Sequence, residues 1–149
     1  MLQIAMQSQV LKADGLSLID SSFTALDATP VKANVSNNNP KSFKKYKFSK
    51  TSPPKADKDC RLGVQTVSNQ HNEKKYEFYW GYKNHILVDC ISGLPVCELT
   101  TDANVSDSSV TLKILKRANS FLPLAECSFL ADKAYDVKAI YNAVYDTYN

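Results

Sequence analysis

The sequence predicts an α/β fold, a mixed sheet flanked by helices, and three observations carry that prediction. Residues 22–33 alternate in the manner of a half-buried strand. Residues 76–101 are dense in aromatic and β-branched side chains, and a turn divides them. A helix, a short apolar strand and a last helix then follow in order. The chain has 149 residues, 44% hydrophobic and 22% charged, which fits one soluble domain with a real core. No run approaches the roughly 20 apolar residues of a membrane span.

The opening MLQIAMQSQVLKADG spaces Leu2, Met6, Val10 and Leu11 as a helix ending near Gly15. It lacks a basic n-region and a small-residue cleavage site, so no signal peptide is expected and the cytoplasm is the expected compartment. In SFTALDATPVKA, one strand face carries Phe23, Ala25, Asp27, Thr29 and Val31. The segments HILVDC and LPVCELT, joined through ISG, should pair as an antiparallel hairpin. NVSDSSVTLKILKRA shows a helix start, with Ser106 as candidate cap and Asp107 in the first turn. Val110, Ile114, Leu115 and Ala118 form its apolar stripe. ECSFLAD reads as a short strand of the buried kind, suited to a parallel position. Asp136 is placed to cap a final helix over VKAIYNAVYDTYN.

Cys60, Cys90, Cys97 and Cys127 show no C-x-x-C pair and no nearby histidine. Zinc-finger spacing is absent, and free thiols in a reducing compartment are the expectation. Net charge is +3, unevenly spread. Residues 32–61 hold nine Lys/Arg against two acids, a surplus of +7, while the other 119 residues hold nine against thirteen, or −4. A basic loop is expected at about 34–75, with Phe43, Tyr46 and Phe48 set among lysines. That mixture suits phosphates and exposed bases; a solvated loop anchored by a few aromatics is the alternative.

Two carboxylates interrupt apolar patterns. Asp27 lies inside the first strand, and Asp132 ends the run FLAD, at the strand end where α/β folds collect ligands. Two converging acids repel unless a divalent cation with oxygen ligands, Mg²⁺ or Mn²⁺, relieves them. Spacing alone leaves helix capping, or pairing of Asp132 with Lys133, open.

The words DATPVKAN, DKDCRLG, YWGYKNHILVD, LPVCELTTDANVSDS and FLADKAYD occur in this order along the chain. Their sequence and intervals over about residues 20–142 resemble bacterial insertion-sequence transposases of the DDE type. The resemblance implies a ribonuclease-H-like fold, and an Asp-Asp-Glu triad with two divalent metals that cleaves double-stranded DNA and joins it to a target. By its words, Asp27 in D-x-T and Asp132 in A-D-K-x-Y are the two catalytic, metal-binding aspartates. Ala134 stands where the family word has glycine. Asp20 in LIDSS is a rival for the first place; Thr29, Lys32 and Asn34, which follow Asp27 as the family word requires, favour Asp27.

The third ligand has no candidate. The family glutamate follows the second aspartate on a later helix, whereas Glu126 precedes Asp132 and Glu98 lies in the hairpin. The expectation is a fragment: residues 1–17 ending an N-terminal helical region, and 18–149 a partial catalytic domain truncated before the last catalytic helix. Inactivity or near-inactivity follows, with a DNA-binding remnant or a ribonuclease-H-like nuclease as alternatives, and a homo-oligomer when complete. Expected DNA contacts are Lys32, Lys41, Lys44, Lys45, Lys47, Lys83 and Lys133. In GYKNH, Lys83 and His85 share a strand face. The family places them near the DNA backbone or the metal; an edge lysine and a hydrogen-bonded histidine explain them as well. Asp89 is explained by turn stabilisation at least as well as by chemistry. Asp57 and Asp59 flank Arg61, and a local salt bridge is expected there.

Overall fold

A computed structural model describes residues 2–38, 52–68, 74–124 and 126–148. Helix α1 (Leu2–Gly15) precedes strand β1 (Phe23–Lys32), then come β2 (Arg61–Ser68), β3 (Lys74–Asp89) and β4 (Pro95–Asp102). Helix α2 (Asp107–Asn119), strand β5 (Ser128–Ala131), a short 3₁₀ turn (Lys133–Tyr135) and helix α3 (Lys138–Tyr148) follow. The strands make one five-stranded sheet in the order β2-β3-β1-β5, with β4 also on β3. β5 runs parallel to β1 and β2 antiparallel to β3. A mixed sheet with flanking helices agrees with the α/β expectation and is compatible with a ribonuclease-H-like domain.

The chain divides into two compact units. The first comprises residues 1–28, 85–99 and 106–149. Its core gathers Val10 of α1, Leu26 of β1, Leu87, Val96, and Ile114, Leu115 and Ala118 of α2, with Ile140 and Tyr148 of α3. The α2 stripe is therefore buried as its period predicts. Ser106 does stand at the helix start, yet its side chain makes no capping bond; its carbonyl takes the Ser109 amide at 3.1 Å.

The second unit comprises residues 29–84 and 100–105. Val35, Cys60 and Trp80 form its core, with Ala33, Leu62 and Tyr82 against it. Asn38 ties this unit together: its amide donates to the carbonyls of Ala33 and Trp80, both at 2.7 Å, and accepts the Trp80 amide at 2.8 Å.

Three expectations need correction. The basic loop expected over about 34–75 contains β2, paired with β3 from Arg61↔Gly81 to Ser68↔Lys74. Strand β5 is not of the buried kind: it lies at the sheet edge with β1 as its partner, and Leu130 is 48% exposed. Asp136 closes the 3₁₀ turn, because α3 begins two residues later at Lys138.

Candidate active site

The parallel register of β1 and β5 builds the site. Thr24↔Phe129, Ala25↔Leu130 and Leu26↔Ala131 are Cα partners. Extending the register by one residue sets Asp27 opposite Asp132, and the backbone at Asp132 is still extended (φ −73°, ψ 175°). Neighbouring strands lie about 5 Å apart, so a register continued by that one residue would bring the two acids alongside each other just past the last paired residues. There β5 turns off into the 3₁₀ turn while β1 runs on to Lys32. Asp132 thus lies just past the carboxyl end of β5, the edge of an α/β sheet where ligands commonly bind.

Both carboxylates are exposed. Each commits one oxygen to a local amide: Asp27 Oδ1 accepts from Ala28 N at 2.7 Å, and Asp132 Oδ1 from Ala134 N at 2.8 Å. The second oxygen of each takes no hydrogen bond among the described residues. Two adjacent carboxylates with free oxygens have the hard-donor chemistry that suits Mg²⁺ or Mn²⁺. Among the described residues, no group of three or more His, Cys, Asp or Glu lies close enough to hold a metal ion.

Beside Asp132 an open groove of about 520 Å³ runs between β5 and α3, lined by Phe129, Tyr135, Ile140, Tyr141 and Tyr145 among others. Tyr135 is buried in the first unit's core, and its hydroxyl finds no partner among the described residues. Burial pushes that phenol's pKa up, and the charges of Asp107, Asp27 and Asp132 push it further. The sequence reading missed Tyr135; its signal was an aromatic three residues after the acid in A-D-K-A-Y-D.

Asp20 lies at the other end of β1, three residues before the strand begins. The main chain there meets the start of β5, with Ser128 N donating to Ser22 O at 2.7 Å. At roughly 3.3 Å per residue, the stretch of β1 from Phe23 to Asp27 alone spans about 13 Å, and Asp20 lies beyond its far end. Asp20 instead accepts from Ser22 N at 3.0 Å, and bonds to Ser22 hold its carboxyl below the usual range. Asp89 and His85 are fully buried in the first unit. Asp89 takes the amides of Ser92, Ile91 and Asp20 at 2.9, 3.2 and 3.3 Å, a turn-holding role.

Of the expected DNA contacts, Lys41, Lys44, Lys45 and Lys47 lie outside the described residues. Lys32 is ion-paired with Glu77 at 2.8 Å, and Glu77 also takes Gln65 Nε2 at 2.6 Å. Lys83 Nζ donates to the Val105 carbonyl at 3.0 Å, and Lys133 is exposed on the groove. Arg61 does not follow the expected local salt bridge; its guanidinium goes to the carbonyls of Lys58, Asp59 and Cys60. Asp57 accepts the Tyr82 hydroxyl at 3.0 Å, and burial together with that bond pushes Tyr82 up to about 12. The four cysteines are free thiols, Cys90 exposed and the others buried.

A family model described as "Transposase DDE domain" matches residues 19–147. Comparison with curated proteins finds no match, and comparison with solved structures finds none either. No helix among the described residues is long and apolar enough to cross a membrane.

Proposed function

This chain belongs to the transposase DDE domain family, and we propose that Asp27 and Asp132 jointly hold a divalent cation for cleavage and strand transfer of double-stranded DNA in insertion-sequence transposition. The family acts in transposition, with DNA as the partner and divalent metal ions in general use. The observation that carries the finer reading is the β1–β5 register, in which the two acids follow the last paired residues.

A bound Mg²⁺ or Mn²⁺ would activate the attacking oxygen and stabilise the leaving one at a phosphodiester. The chain's own contribution is to orient two carboxylates, one from within β1 and one just past the end of β5, with one oxygen of each fixed by a backbone amide. Such chemistry needs in-line geometry, and a misplacement of about 1 Å costs on the order of 100-fold in rate. Because no third acid joins the pair among the described residues, this chain is inactive or nearly so in this reading. Homo-oligomerisation belongs to the same reading.

Calorimetric titration with Mn²⁺ tests the pair. Wild type should take up the ion, Asp27→Asn and Asp132→Asn should each weaken uptake by about 100-fold, at or beyond the upper end of losses seen for supporting residues, and Asp20→Asn should leave it intact. Equal uptake in all four proteins, or loss with Asp20→Asn alone, sinks the assignment. A nicking assay on linear duplex DNA with Mn²⁺ should give little product; robust cleavage abolished by Asp27→Ala would show that no third carboxylate is needed.

A second reading, DNA binding without chemistry, is favoured by the +7 surplus of residues 32–61. Phosphate contacts make affinity fall with salt, by about 0.9 log units per log unit of salt for each contact. Changing Lys41, Lys44, Lys45 and Lys47 together to alanine should therefore weaken duplex binding at low salt and flatten the slope by up to roughly 3.6. An unchanged slope would remove the basic stretch as the binding surface.

A further inference from the structure

Among the described residues the hydroxyl of Tyr135 has no hydrogen-bond partner, and only 4% of the residue is exposed. A buried hydroxyl left without a partner is costly and calls for an explanation. Its placement is controlled from Asp132. The Asp132 carboxylate accepts from Ala134 N at 2.8 Å, and its carbonyl accepts from Tyr135 N at 3.1 Å. Asp132, which follows β5 and caps the 3₁₀ turn, thus also fixes the backbone that carries the phenol. Helix α2 packs against the same 3₁₀ turn and brings its first residue, Asp107, to this region. Among the described residues the hydroxyl has no bond to give up, so it can donate to an acid without displacing a partner of its own, and the charges of Asp107, Asp27 and Asp132 are felt at the phenol.

We propose that Tyr135 is a positioning residue for the acid pair: when Asp27 and Asp132 draw together on a divalent cation, its hydroxyl donates a hydrogen bond to one of their oxygens. The inference rests on the pair's assignment in the preceding subsection. Carboxylates that ligate metals are commonly held by such outer partners, and losing one costs about 10- to 100-fold in metal affinity.

The test uses the full chain, Mn²⁺ alone as the probe, and Tyr135→Phe, which keeps the ring and removes the hydroxyl. Without metal, the variant should be as stable to denaturant as wild type or slightly more so, since an unpartnered group is gone. With Mn²⁺, its dissociation constant should rise about tenfold, and the metal-induced shift in denaturation midpoint should shrink accordingly. A hydroxyl that merely supports the core would reverse this pattern, weakening the metal-free protein and leaving Mn²⁺ affinity alone. That result, failure of the variant to fold, or Mn²⁺ affinity equal to wild type overturns the proposal. If Asp27→Asn loses the ion and Tyr135→Phe does not, only this inference falls. If wild type and Asp27→Asn bind alike, the reading of the pair falls and takes the inference with it.

Discussion

Gly81→Ala should destabilise the second unit by about 3 kcal/mol or more, at the top of the range for overpacking. Gly81 lies in β3 opposite Arg61 of β2. A Cβ there would come within 2.1 Å of the Val31 carbonyl oxygen, 3.0 Å of Ala33 N and 3.1 Å of Lys32 Cα. All three atoms are main chain, so no rotamer change relieves the clash; the strands must move apart. The same backbone is already bonded through Ala33 N to Trp80 O at 2.9 Å and Ala103 N to Gly81 O at 3.3 Å. Relief would strain both bonds, and the Asn38 clasp on Trp80 with them. Urea denaturation followed by the fluorescence of Trp80, the chain's one tryptophan, measures the loss. A midpoint within about 0.5 kcal/mol of wild type, the range of an ordinary surface substitution, would show that the sheet opens here at little cost.

That clash shows where the sequence was legible and where it was not. The α2 stripe and the extent of β1 follow from local periodicity, since Val110, Ile114, Leu115 and Ala118 recur at helical spacing and β1 covers Phe23–Lys32 almost as its alternation predicts. Strand β2 was lost in the basic loop because RLGVQTVS carries little apolar weight; its order comes from pairing with β3, a contact its own composition does not announce. The alternation of β1 also named the right set of residues without telling which side is covered. Thr24 and Leu26 are the buried ones, whereas Phe23 is 43% exposed and Asp27 exposed. For β5, the apolar run SFLA suggested burial on both faces, but a run of that kind does not reveal how many strands flank it.

The site divides in the same way. Asp27 and Asp132 stood out in the sequence as acids interrupting apolar patterns, 105 residues apart. Their nearness is a property of the β1–β5 register, where a shift of one residue would turn one side chain to the other face. Asp20 looked comparable because it too ends an apolar run; only the strand direction sets it beyond the opposite end of β1. Tyr135 was visible only as the aromatic of A-D-K-A-Y-D; its unpartnered hydroxyl is a fact about three-dimensional neighbours that no spacing reveals.

Asp89→Asn should cost about 3 kcal/mol, the scale of breaking charge-assisted bonds and leaving buried donors unpaired. The carboxylate is fully buried and gathers three backbone amides and the Ser92 hydroxyl at the β3–β4 turn. Asparagine keeps the shape, yet turns an N–H₂ toward donors where an oxygen stood. The turn has little slack to absorb this. Asp89 N donates to Leu94 O at 3.0 Å, Gly93 N donates to Asp89 O at 2.8 Å, and Gly93 sits at φ +72°, where side chains are strained. The effect carries a pH signature. Burial alone would raise the Asp89 carboxyl, but the bonds from Ser92, Ile91 and Asp20 outweigh it and hold the carboxyl below its ordinary value. A depressed carboxyl stabilises fully above the unfolded value of about 3.9 and loses that contribution as pH falls through the folded one. The gap between wild type and Asp89→Asn should therefore be the same at pH 7 and pH 5, and narrow only below about pH 4. Denaturant midpoints across that range check it. A gap already closed at pH 5 would mean that the buried carboxyl is neutral, held by its geometry and not by its charge.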